Sequence, residues 1–118
     1  KVKVKNNTNI VKIVKDKKNN VLYLSRGNIP FEFKKRLDWF YKHLSIVSFK
    51  PNALEKFSLS SKTPMENVED IELLRALELG LKIKTLSLKG DSFSVDVPED
   101  FEKASEVMKN DKFFKLYK

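Results

Sequence analysis

Residues 10–25 read Ile10-Val11-Lys12-Ile13-Val14-Lys15-Asp16-Lys17-Lys18-Asn19-Asn20-Val21-Leu22-Tyr23-Leu24-Ser25. Two short runs rich in β-branched and apolar residues flank the polar segment Asp16–Asn20, which reads as strand, hairpin connection and strand. Upstream, Lys1-Val2-Lys3-Val4-Lys5 alternates with period two before the polar turn Asn6-Asn7-Thr8-Asn9. Its lysines suit a protected sheet edge. The pattern predicts three antiparallel strands in the first 25 residues.

Beyond this sheet the signals become helical. Pro30 suits a first helical turn, and Phe33, Leu37, Phe40, Leu44 and Val47 recur at helical spacing, so a helix is expected from about residue 30 to His43. Lys50–Ala53 reads as a turn and Lys56–Ser60 as an edge strand. Thr63-Pro64-Met65-Glu66 has the form of a capping box and opens an expected helix over 64–79, with Gly80 as its terminator. Residues 81–97 alternate on both sides of Lys89-Gly90-Asp91-Ser92, which predicts a second hairpin. Pro98-Glu99-Asp100 opens a last helix with acidic residues at its positive end.

These elements predict an α+β fold: a two-layer domain with a mainly antiparallel sheet and about three helices. The sheet would take three N-terminal strands plus the C-terminal hairpin. One domain is expected over residues 1–118, a length that supports one core. Lys1 at the first position is compatible with a domain cut from a longer protein.

The formal charge of +8 is unevenly spread. Residues 1–50 carry thirteen Lys/Arg against three Asp/Glu, while residues 51–118 carry eleven against thirteen. Such a basic half attracts polyanions. Only three of the cations are Arg, however, so the excess is a poor tool for bidentate readout of bases. The chain has no Cys and a single His, which removes thiolate chemistry and the usual zinc sites from consideration. No apolar run is long enough to span a bilayer, and a soluble protein is expected, with a slight lean toward the cytoplasm.

No metal, cofactor or catalytic constellation is expected. Asp91, Asp96, Glu99, Asp100 and Glu102 are the one acidic concentration, and their spacing does not match an EF-hand. Ser25-Arg26-Gly27-Asn28 leads into Pro30 like a turn where anions collect, but it lacks the glycine-rich length of a phosphate loop.

The reading that follows is a non-catalytic binding module, not an enzyme, holding RNA or DNA by the phosphate backbone without sequence readout. The candidate contacts are Lys12, Lys15, Lys17, Lys18 and Arg26, extended by Lys34, Lys35, Arg36 and Lys42. Trp39 and His43 would offer a stacking flank. The alternative is a protein-interaction or assembly domain of a larger protein, with an enzyme of unknown class as a weaker third.

Overall fold

The computed structural model describes residues 3, 6–88 and 93–116. It forms two compact units, residues 1–88 and residues 89–118. The first is an α+β unit with a three-stranded antiparallel sheet. Strand β1 (Lys12–Lys15) lies between β2 (Val21–Ser25) and β3 (Tyr41–Lys42).

The β1–β2 hairpin follows from its sequence. Asp16 Oδ1 accepts the backbone N–H groups of Lys18 and Asn20 at 2.7 and 2.8 Å, and Asn20 Nδ2 donates to Asp16 Oδ2 at 2.7 Å. Asn19 takes the left-handed conformation (φ 65°), which Asn tolerates better than most residues. These bonds hold the Asp16 carboxyl below its ordinary pKa, with the Asn20 side-chain amide as the largest cause. The register pairs Ile13 with Leu24 and Lys12 with Ser25.

The third strand is not where the sequence pattern puts one. Lys1–Lys5 falls outside the described residues apart from Lys3, and β3 comes instead from the segment expected to be helical. Residues 30–40 are irregular, Tyr41 pairs with Ile13, and His43 N donates to Val11 O at 2.9 Å. Pairing with the open edge of β1 overrides the helical spacing. It buries Phe40 (2% exposed) and leaves Phe33 in solvent (83%).

Three helices follow: α1 (Pro51–Ser58), α2 (Pro64–Glu69) and α3 (Glu72–Glu78). Helix α1 replaces the expected turn and edge strand over 50–60, because Pro51 at its start presets helical geometry and Ala53, Leu54, Glu55 and Lys56 are strong helix formers. The single helix expected over 64–79 is two, broken at Asp70, which sits in the left-handed region at φ 51°. Thr63 N donates to Glu66 Oε2 at 3.4 Å, the carboxylate half of the capping box. Gly80 (φ 75°) closes α3: its N–H meets Leu77 O, and Leu81 N meets Ala76 O, each at 2.9 Å.

Val21, Leu24, Ile71 and Leu74 form the core, joining β2 to α3. Arg75 ties the helices together. Its Nη1 donates to Ser60 O at 2.8 Å, its guanidinium lies 4.1 Å from the Phe57 ring centroid, and its Nε lies 3.1 Å from Glu66 Oε2. Glu66 is a buried carboxylate, and such a charge persists only with a partner of this kind. The first arm of the expected C-terminal hairpin meets the first: Val21 N donates to Ile83 O, and Asn20 and Lys84 form an isolated bridge. The turn expected at 89–92 lies outside the described residues, and residues 93–97 form no strand, so the sheet does not gain the expected C-terminal hairpin.

In the second unit, α4 (Pro98–Lys109) begins at its proline, and Asp100 Oδ2 accepts the N–H groups of Asp96 and Val97 at 3.2 and 3.3 Å. A short 3-10 turn, Phe114–Leu116, follows. No helix among the described residues is long and apolar enough to cross a membrane.

Candidate functional site

The C-terminal end of β2 organises the polar part of the first unit. Ser25 is buried there, and its hydroxyl donates to Glu69 Oε1 at 2.6 Å while accepting Gly27 N at 2.9 Å. Arg26 N donates to the other oxygen, Glu69 Oε2, at 3.0 Å. One carboxylate thus holds two successive residues of the turn.

The Arg26 guanidinium bonds to backbone through each of its three nitrogens. Nε donates to Glu69 O at 2.8 Å, Nη2 to Asp70 O at 3.1 Å and Nη1 to Thr8 O at 3.1 Å. It satisfies carbonyls left open where α2 ends, which accounts for the break at Asp70. Arg26 is therefore a tie between segments rather than an exposed phosphate contact.

Two residues further, Asn28 Nδ2 donates to Asn6 Oδ1 at 2.7 Å, and Asn6 N donates to Asn28 Oδ1 at 3.3 Å. This amide pair forms one side of a cleft of about 440 Å³, lined by Asn6, Asn28, Phe31, Glu32 and Arg36. That volume lies within the range of small-molecule sites. Glu32 Oε1 accepts the N–H of Leu37 and shapes the loop. Phe31 is 84% exposed, offering an aromatic face. The exposed Arg36 guanidinium has no hydrogen bond or ion pair among the described residues. An uncommitted cation, two amides and a ring suit an acidic, hydroxyl-bearing ligand: the fork binds a carboxylate or phosphate, and the amides bind hydroxyls.

Of the cations expected to form a phosphate-binding face, few are available for one. Lys12 is wholly buried, its ammonium bound to backbone carbonyls. Lys15 Nζ donates to Asn19 Oδ1 at 2.7 Å and lies 4.4 Å from the Tyr41 ring centroid. Lys17 and Lys18 are exposed in the hairpin loop, Lys34 and Lys35 are exposed, and Lys42 is half-buried and partnered. Trp39 packs edge-on against Tyr41, with centroids 4.8 Å apart, so it belongs to a sheet-side aromatic cluster. His43 is half-buried; burial lowers its pKa, and the Glu72 carboxylate opposes that shift. The structure thus joins Lys15 to Trp39 through Tyr41, and Lys12 to Arg26, while Lys17 and Lys18 stand apart.

Sequence reasoning selected Arg36 but missed Asn6, Phe31 and Glu32 as cleft residues and Glu69 as the anchor. The Ser25–Asn28 turn was the signal for Asn28. Nothing periodic marks Glu69, because its partners lie far away in sequence. Among the described residues no group of His, Asp or Glu is gathered as a metal site, and Asp100 serves as a helix cap.

The family model described as Cytidylyltransferase matches residues 2–83. The 3-deoxy-manno-octulosonate cytidylyltransferase of Thermodesulfovibrio yellowstonii is 41% identical over 108 residues, which cover 86% of this chain and 42% of the relative. That of Chlamydia caviae is 41% identical over 98 residues, 83% of this chain and 38% of the relative. Among solved structures, CMP:2-keto-3-deoxy-manno-octonic acid synthetase complexed with CTP superposes with a TM-score of 0.79 at 27% identity, covering 87% of this chain and 43% of that one. The chain spans about two-fifths of the length of these curated relatives. These likenesses overturn the non-catalytic module expected from the sequence, whether nucleic-acid-binding or a protein-interaction domain, and with it RNA or DNA as the partner. The charge of the N-terminal half misled because its most central cations, Lys12 and Arg26, are spent on the protein's own carbonyls.

Proposed function

The chain belongs to the cytidylyltransferase family, and on that premise we propose that it serves nucleotidyl transfer from CTP to an eight-carbon acidic sugar, 3-deoxy-manno-octulosonate. In this reaction a sugar hydroxyl oxygen bonds to the α-phosphorus of CTP. The bond from that phosphorus to the bridging oxygen breaks, pyrophosphate leaves with the electron pair, and the hydroxyl proton passes to a base or water. The products are a CMP-linked sugar and pyrophosphate. We place the activity in the cytoplasm, as a soluble enzyme working where CTP is held.

The observation that carries this reading is the 41% identity to the Thermodesulfovibrio yellowstonii protein across 86% of the chain. The cleft supports it chemically. Arg36 supplies a guanidinium for the sugar carboxylate, Asn6 and Asn28 supply amides for hydroxyls, and Phe31 lies against an apolar ring face. The reading gives these residues to the acidic sugar and assigns none of them to the triphosphate.

The test is pyrophosphate release by the protein as it is encoded, with CTP and the octulosonate as substrates. Arg36→Gln should raise KM for the octulosonate by about 10-fold to 100-fold, since a charge-assisted pair contributes about 1.5–3 kcal/mol, and leave KM for CTP nearly unchanged. Equal rises in both KM values would remove Arg36 from the sugar site. No pyrophosphate release from any pairing of CTP with the sugar acid would refute the reaction.

A further inference from the structure

The most enclosed cation among the described residues is tied to the segments that carry this cleft. Lys12 is 0% exposed, although it belongs to the central strand of a small sheet. Its Nζ donates to Asn7 O at 2.5 Å and to Arg26 O at 2.6 Å. Those carbonyls belong to the two segments that carry the cleft: Asn7 follows Asn6, and Arg26 stands two residues before Asn28. Two further ties join the same segments, Arg26 Nη1 to Thr8 O and the paired amides of Asn6 and Asn28. The Lys12 ammonium bonds both backbones through a single atom.

A buried ammonium is costly, and its burial and two facing charged groups set its state. Burial pulls its pKa down, the Glu69 carboxylate raises it, and the Arg26 guanidinium lowers it further. The same Glu69 holds Ser25 Oγ and Arg26 N. Lys12, Glu69 and Arg26 thus form one connected support, and a core residue needed only for packing would be apolar here.

We propose that Lys12 is a positioning residue for the acidic-sugar cleft, its enclosed ammonium fixing in place the two joined segments that carry Asn6 and Asn28 along one side of it. The proposal rests on the functional reading above, since it assigns the effect to the sugar rather than to CTP. Lys12 touches no substrate. It acts through the Asn7 and Arg26 carbonyls.

Lys12→Met keeps the length of the side chain and removes every donor. It should raise KM for the octulosonate by about 10-fold while kcat and KM for CTP stay within about twofold. Amide exchange should rise in residues 6–9 and 26–28 and stay unchanged in α3. An unaltered sugar KM in an active variant, or exchange that rises evenly over the whole first unit, overturns the proposal. If the unsubstituted protein releases no pyrophosphate, the functional reading fails, and the exchange pattern still decides whether Lys12 holds the two segments.

Should Lys12→Met not fold, the wild-type ammonium can be observed directly by nitrogen-15 NMR. A Lys12 signal that is protected from water and shifts on adding octulosonate supports the positioning role. One that stays fixed at saturating octulosonate overturns it.

Discussion

Glu69→Gln is the most informative single substitution in the first unit. The carboxylate accepts Ser25 Oγ at 2.6 Å on one oxygen and Arg26 N at 3.0 Å on the other. A glutamine keeps the shape but has only one oxygen, so its NH2 must face either a hydroxyl donor or a backbone N–H. Turned toward Ser25 Oγ, the NH2 reverses that bond, with the hydroxyl accepting instead of donating, and both bonds to an ionised carboxylate become weaker bonds to a neutral amide. A hydrogen bond to a charged group contributes about 1.5–3 kcal/mol, so we expect a loss of that size in a urea titration followed by circular dichroism. Ser25→Ala removes one of the same bonds. The double variant should therefore lose less than the sum of the singles, with a coupling of about 0.5–3 kcal/mol. Additive losses would show that the two side chains do not act together, and a Glu69→Gln loss below about 0.5 kcal/mol would refute the anchoring role.

Other outcomes separate the observed fold from the sequence pattern. Phe40→Ala should cost about 3–5 kcal/mol, whereas Phe33→Ala, at an exposed position, should change stability by less than about 0.5 kcal/mol; similar losses in a denaturant melt would restore the helix expected over 30–43. The Asp16 carboxyl has a lowered pKa in the folded state, so its contribution is present above its unfolded value near about pH 4 and is lost as pH falls through the folded value. The stability difference between wild type and Asp16→Asn should be flat above about pH 5 and shrink toward pH 3; a difference that grows on acidification would reverse the sign of this linkage.

The parts of the fold legible in the sequence are those whose causes are local. The β1–β2 hairpin carries its own signal, because Asp16 bonds to residues two and four positions on, and Pro98 opens α4 in the same self-contained way. The errors share a different origin. Phe33, Leu37, Phe40 and Leu44 do have helical spacing, but the edge of β1 was open, and Tyr41 and His43 pair with it. Nothing within residues 30–43 reveals that competitor. Likewise the break at Asp70 depends on Arg26, whose guanidinium collects the carbonyls of Glu69 and Asp70.

The candidate site was legible in part for the same reason. The Ser25–Asn28 turn and Arg36 were visible as chemistry, yet the role given to Arg26 was inverted, since it binds carbonyls instead of phosphate. Lys12 misled most. A lysine in an alternating strand reads as a solvated face, and only the fold shows it enclosed between Asn7 and Arg26. With a single His and no Cys, the chain offers little local signature of catalysis to read from the sequence.

The central claim is a transfer reaction, and phosphorus-31 NMR follows it without coupling enzymes. The protein as encoded is incubated with CTP and 3-deoxy-manno-octulosonate, and the spectrum is recorded against a control lacking the sugar. The triphosphate signals should decline only when both substrates are present, replaced by one phosphodiester resonance and pyrophosphate in equal molar amounts. A triphosphate that persists with both substrates, or that breaks down at the same rate without the sugar, would contradict that claim.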